Sequence, residues 1–152
     1  PQYQSSDPQL RNKAAAIIGA EKDALKASDK LVEWVFENVK KSYMPAMANA
    51  LDVLRTKSGD CTEHSTLFVA LARSQGLPAR QVVGIAYWPQ GGGFGWHAWA
   101  EVWAGKWIPV DPTWGQPIAD TSHIKLAAGS MADQARIASL LGAIRIVSIT
   151  KQ

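Results

Sequence analysis

The sequence predicts an α+β domain, with helices first and an antiparallel sheet after them. Three observations carry this. Apolar residues recur at helical spacing between Pro8 and Gln75. From Ala79 to Val110 the period shortens to two and the residues become β-branched and aromatic. The strands of that second part are joined by short turns, so there is no βαβ alternation and the neighbours are antiparallel.

In chain order, Asp7-Pro8 reads as an N-cap followed by proline at the first helical position, opening a helix to about Gly19. A second helix covers roughly Asp23 to Lys41, with Leu31, Val32, Val35, Phe36 and Val39 on one face, and the chain breaks at Pro45. A short third helix spans Asn49 to Arg55. Asp60 caps a fourth, running to Gln75 and closed by Gly76 and Pro78, with Leu67, Phe68, Leu71 and Ala72 as its buried stripe. The segment ARQVVGIAYW is a strand stopped by Pro89, and GGGFG is a flexible connector. WHAWAEVWA alternates, with His97, Trp99, Glu101 and Trp103 on one face and Trp96, Ala98, Ala100 and Val102 on the other. AGKWIPV turns into the next strand. HIKLA and AIRIVSI read as strands flanking a short helix from about Met131 to Leu141.

The 152 residues fit one domain, 1–152, with a core of its own, and the expectation is a fragment of a longer chain. The net charge of +3 is small and the basic residues are scattered, which argues against a nucleic-acid or membrane-surface patch. No apolar run approaches the length of a membrane span. The single cysteine cannot form an intramolecular disulfide and does not decide the compartment. A bacterial envelope or periplasm is favoured over the cytoplasm. The oligomeric state is not written in the sequence.

That one cysteine, in SGDCTEHS, opens the fourth helix. Unpaired N–H groups and the helix dipole favour a thiolate at such a position, and the same N–H groups can hold an oxyanion. The thiol is therefore expected to titrate below its ordinary value. A nucleophilic thiol also needs a base, and the base needs an orienting group. His97 lies early on a strand, which fixes the direction of its imidazole. Asp111 ends the next strand, and a hairpin centred on Ala104-Gly105 brings it opposite Ala98 or His97.

The segments GDCTEHSTLFVALARSQGLPAR, GWHAWAEVW and WIPVDPTWG resemble, in that order, the signature segments of the transglutaminase-like superfamily, a papain-like cysteine fold group. The resemblance is close from about Ala48 to Gly115 and looser in the flanks. It implies helices packed on an antiparallel sheet, with Cys61 as nucleophile, His97 as general base and Asp111 as orienting carboxylate. It implies a cysteine-dependent acyl-transfer enzyme acting on amide bonds of a peptide or protein substrate, without a cofactor. Calcium-dependent animal members carry additional β domains for which this chain is too short, so a peptidase or amidase is favoured. A transglutaminase with an amine acceptor is one alternative. A non-catalytic peptide- or glycan-binding module built on the tryptophans is another. The oxyanion donor besides the Cys61 N–H has no motif; Trp34 and Tyr43 precede the cysteine and are considered for it. A zinc site from Cys61 and His64, completed by His97 or His123, is a weaker rival, since structural zinc usually takes more cysteines. His64 otherwise reads as a helix residue supporting its own N-terminus. The glycine loop matches no nucleotide fingerprint and is expected to flex beside His97.

Overall fold

The structure, a computed structural model, describes residues 2–42, 48–129 and 143. Helix α1, Pro8–Ile18, starts where the Asp7 side chain accepts from the Gln9 amide at 2.8 Å. Helix α2, Ala24–Asn38, starts where Asp23 accepts from Leu25 and Lys26. Its Leu31, Val32, Val35 and the following Val39 are buried as expected, but Phe36 is 44% exposed. The Phe36 ring instead lies so close to Gly115 that an added Cβ there would be 2.9 Å away.

Helix α2 ends at Asn38, three residues before the expected Lys41. Lys40–Lys41 forms strand β1, which pairs in parallel with β2, Ser58–Gly59. This parallel pair was not expected; it fixes the end of α2 to the residues that lead into the cysteine helix. Between them lies α3, Ala50–Thr56, capped by Asn49.

Helix α4, Cys61–Ser74, is buried on every side from Glu63 to Ala72, beyond the single stripe expected. It lies between the other helices and a four-stranded sheet. That sheet comprises β3 (Ala79–Trp88), β4 (Gly93–Trp103), β5 (Trp107–Val110) and β6 (Ile124–Ala128), in the order β5-β4-β3-β6, with every neighbour antiparallel. The glycine segment is mostly not a loop. A short 3-10 turn, Pro89–Gly91, makes the reversal, and Gly93 to Gly95 pair with Trp88 to Ala86. The ladder hydrogen bonds override the freedom that three glycines suggest. The expected helix from Met131 to Leu141 and the strand AIRIVSI lie outside the described residues, Ala143 apart.

The main core joins Leu10, Leu31, Val35, Leu67, Phe68 and Leu71 to Ala100, Val102 and Val110 of the sheet. Each large side chain so buried contributes about 1.5–3 kcal/mol. On the other sheet face Trp99 packs with Val82, Ala119 and Ala128. Gln81 of β3 ties sheet to helix: its amide donates to Ser65 Oγ at 2.6 Å and to the Thr62 carbonyl at 3.0 Å. The core thus sets the distance between α4, which carries the cysteine, and the strands that carry the histidine and aspartate. No helix among the described residues is long and apolar enough to cross a membrane.

Candidate active site

Cys61 is the first residue of α4. Asp60 Oδ1 accepts from the Thr62 amide at 2.7 Å, and Glu63 Oε2 accepts from the Asp60 amide at 3.0 Å, a reciprocal capping box. A Cβ on Gly59 would collide with the Glu63 side chain, so the residue before the cap is glycine for steric reasons. Burial, and next the Asp60 carboxylate, push Glu63 up to about 7.

His64 lies fully buried behind this cap. Its Nδ1 is 2.7 Å from the Asp60 carbonyl and its Nε2 3.0 Å from the Val39 carbonyl. Burial lowers its pKa despite these two acceptors, so the neutral ring donates to one of them. His64 therefore supports the start of α4, and with both nitrogens turned to backbone carbonyls it is not available as a ligand beside Cys61.

His97 and Asp111 meet. His97 Nε2 donates to Asp111 Oδ2 at 2.7 Å, with the two side chains 7% and 0% exposed. The hairpin register differs by one residue from expectation. Ala100 faces Val110 and Trp103 faces Trp107, because the turn holds three residues, Ala104 to Lys106. Asp111 leaves the ladder just beyond Val110 and bridges to Gln116 instead. Its Oδ1 accepts from the amides of Thr113 and Trp114 at 2.7 and 3.2 Å, which turns the carboxylate back toward His97. Trp114 stacks on the His97 ring, with centroids 4.3 Å apart and planes at 13°.

A third imidazole reaches the same carboxylate: His123 Nε2 is 3.1 Å from Asp111 Oδ2. Burial raises the Asp111 pKa, but the hydrogen bonds from His123 and His97, the charge of His97 and the Thr113 amide outweigh it. The net effect holds the carboxyl well below its usual range. His97, Asp111 and His123 place three ligand-type atoms within 4.8 Å of one another. Both imidazoles, however, turn Nε2 to one carboxylate oxygen at hydrogen-bond distance, and a nitrogen that donates there has no lone pair there for a metal. The donor set fits proton sharing.

Cys61 and His97 line one cleft of about 310 Å³, walled by Trp88, Trp96 and Trp114. Since Nε2 is engaged by Asp111, Nδ1 is the His97 nitrogen left for the thiol. The expectation of a lowered thiol pKa is not met. Burial pushes the Cys61 thiol up to about 11, and the Asp60 and Asp111 charges push the same way. The backbone amides of Ala98 and Cys61 oppose this without overcoming it. Desolvation in the aromatic cleft outweighs the helix terminus even though Cys61 is only half-buried. Trp34, considered as an oxyanion donor, packs against the helical core with Lys13 over its ring and does not line the cleft. Tyr43 lies outside the described residues.

The family model of the transglutaminase-like superfamily matches residues 11–112. The chain belongs to that superfamily. The matched stretch includes Cys61, His97 and Asp111. A candidate cysteine protease from Cytophaga hutchinsonii has a similar structure, with a TM-score of 0.76 and 26% identity over 89% of this chain and 46% of that one. The periplasmic domain of TgpA from Pseudomonas aeruginosa, solved with ethylmercury bound, has a TM-score of 0.55 and 25% identity over 76% of this chain and 46% of that one. The mouse kyphoscoliosis peptidase is 33% identical over 86 residues, which are 49% of this chain and 12% of that protein. The transglutaminase-like domain described here thus spans less than half of each of these relatives.

The residues that sequence reasoning underrated are His123 and Trp114. His123 entered it only as a possible zinc ligand. Strands β5 and β6 lie at opposite edges of the sheet, and the segment between them carries Ala119 onto Trp99 and His123 onto Asp111. A histidine immediately before the strand IKLAA was the available signal, but its partner depends on that crossing.

Proposed function

We propose that this domain is a cysteine-dependent hydrolase of amide bonds in peptides or proteins. The observation that supports it most is the arrangement of His97: Nε2 held by a buried Asp111, and the ring lining the same cleft as the only thiol of the chain. In the first half-reaction Cys61 Sγ bonds to the substrate carbonyl carbon and His97 Nδ1 takes the thiol proton. The Cys61 N–H, in the first turn of α4, stabilises the oxyanion. The carbon–nitrogen bond then breaks and His97 returns the proton to the leaving amine, leaving a thioester. In the second half-reaction water, deprotonated by the same imidazole, releases the acid and the thiol. Asp111 fixes the ring and stabilises the imidazolium in both. The cleft continues into a hollow of about 530 Å³ that shares Lys41, Trp88 and Trp114 with it and adds Phe36 and Tyr87. An aromatic groove formed by the two hollows suits an extended chain. The peptidase and protease names of the relatives support hydrolysis over amine transfer.

The test is to incubate the protein with a glutamine-containing peptide library, with and without a dansylated alkylamine, and to read products by mass spectrometry. Hydrolysis predicts new termini or deamidated side chains and no dansyl incorporation. Dansyl incorporation at glutamine would make the domain a transglutaminase, and peptide retention without any product would favour a binding module.

A further inference from the structure

His97 is held by one oxygen of Asp111, and so is His123. Oδ2 lies 2.7 Å from His97 Nε2 and 3.1 Å from His123 Nε2, while Oδ1 is taken by the Thr113 and Trp114 amides. The other nitrogen of His123, Nδ1, faces the Asp120 carbonyl at 3.1 Å and the Asp120 carboxylate at 3.2 Å. The side chain is 2% exposed, with its ring edge-on to Trp99 and Trp114, both at 5.1 Å. Unlike His64, whose two acceptors are uncharged carbonyls, His123 has a carboxylate at each nitrogen, and both are hydrogen-bonded only when both nitrogens carry protons.

We propose that His123 is a positioning residue of this site, a buried imidazolium that clamps Asp111 and, through the shared Oδ2, fixes how that carboxylate holds His97. The ring centroids of His97 and His123 are 5.6 Å apart, so a cation on one disfavours a cation on the other. Burial lowers the His123 pKa but the Asp111 and Asp120 contacts outweigh it and raise it overall, in line with a charged ring. Among the described residues, Asp111 and Asp120 are the anions hydrogen-bonded to the two rings, and Lys41 and Asp60 line the cleft with His97. Glu101, farther along β4, is neutralised by Arg80 at 2.7 Å and Lys125 at 2.6 Å. From α4, Cys61 and His64 lie within electrostatic reach of Asp111. In this arrangement Asp111 orients His97 through Nε2 while His123 offsets part of its charge.

This inference rests on the roles proposed for Cys61, His97 and Asp111, but its test reads imidazole protons and not turnover. In the wild-type chain, nitrogen-15 NMR at pH 7 should find both His123 nitrogens protonated; a neutral tautomer would overturn the proposal. His123→Phe keeps the ring contacts with the tryptophans and removes donors and charge. His123→Gln keeps a donor and removes the charge together with the ring. In both, the His97 Nε2 proton, which donates to Asp111 Oδ2, should change its chemical shift, since that oxygen no longer holds a second imidazole. An unchanged His97 Nε2 proton in a folded variant would contradict the clamp, and if the phenylalanine variant does not fold, the glutamine variant carries the same test. Failure of Cys61 to form a thioester would overturn the proposed function and leave these readings standing.

Discussion

His97 and Asp111 are fourteen positions apart, yet His97 Nε2 lies 2.7 Å from Asp111 Oδ2, with Asp111 fully enclosed. The hairpin of β4 and β5 brings them near, and the Asx-type turn at Thr113 and Trp114 aims the carboxylate. Because Asp111 has partners on both oxygens, its removal has two separable effects.

Asp111→Asn should keep the shape and lose the charge. Turnover should fall by at least about a hundredfold, since the tautomer of His97 is no longer enforced. Its stability effect has a definite pH sign. The folded carboxyl is held below its ordinary value, so the stabilisation is present above the usual carboxylate range and is lost as pH falls through the folded value. Denaturant unfolding of wild type and variant should therefore converge as pH falls well below the usual carboxylate range and differ most near neutrality. A constant difference across that range would show that Asp111 is not an ionised partner of the imidazoles.

The thiol should behave as a desolvated group in the free protein. With its pKa pushed up to about 11, alkylation of Cys61 by iodoacetamide should climb steadily through alkaline pH. The folded value exceeds the ordinary one, so this thiol favours folding below pH 9.0 and the contribution is lost as pH rises toward about 11. A reactive plateau already reached at mildly acidic pH would mean a preformed thiolate–imidazolium pair, the arrangement a helix terminus alone suggests.

Local signals made much of this molecule legible. Asp7, Asp23, Asn49 and Asp60 each cap a helix, and the strand over Ala79–Trp88 follows its β-branched run. Cys61, His97 and Asp111 could be named because each has a local reason to be where it is: a helix start, a strand and a strand end. What could not be read depends on residues far apart in sequence. The parallel β1–β2 pair, the three-residue turn that shifts the register, and the place of His123 all follow from tertiary packing. The burial of the thiol is of the same kind. A helix terminus is visible in sequence, whereas the tryptophans that enclose it become neighbours only in the fold.

Gly84→Ala should disturb the site from a distance. A Cβ there would strike the Ile124 carbonyl and lie 2.9 Å from the Trp99 ring, where backbone cannot yield. Strand β6 would be pushed from β3, and His123, the residue before it, with it. A loss of about 1–3 kcal/mol in denaturant unfolding is expected, together with altered His123 resonances. A fully stable variant with unchanged spectra would mean that β6 is not seated at Gly84.

Gln81→Leu should loosen the contact between sheet and cysteine helix. The substitution fills similar space but leaves Ser65 Oγ and the Thr62 carbonyl without their amide donor. A destabilisation of about 1–3 kcal/mol is expected. Unchanged thermal unfolding would show that the amide is not needed to dock β3 on α4.

The central claim is that Cys61 carries the acyl group, and the intact mass of the protein during turnover tests it most directly. The protein is quenched in acid within seconds of mixing with a peptide library that it processes, then digested and sequenced by mass spectrometry. The account predicts a hydroxylamine-labile acyl adduct on Cys61 in the wild type. It predicts a longer-lived adduct when water is limiting, and neither adduct nor product in a folded Cys61→Ala variant. Product formation by Cys61→Ala at the wild-type rate would contradict the account.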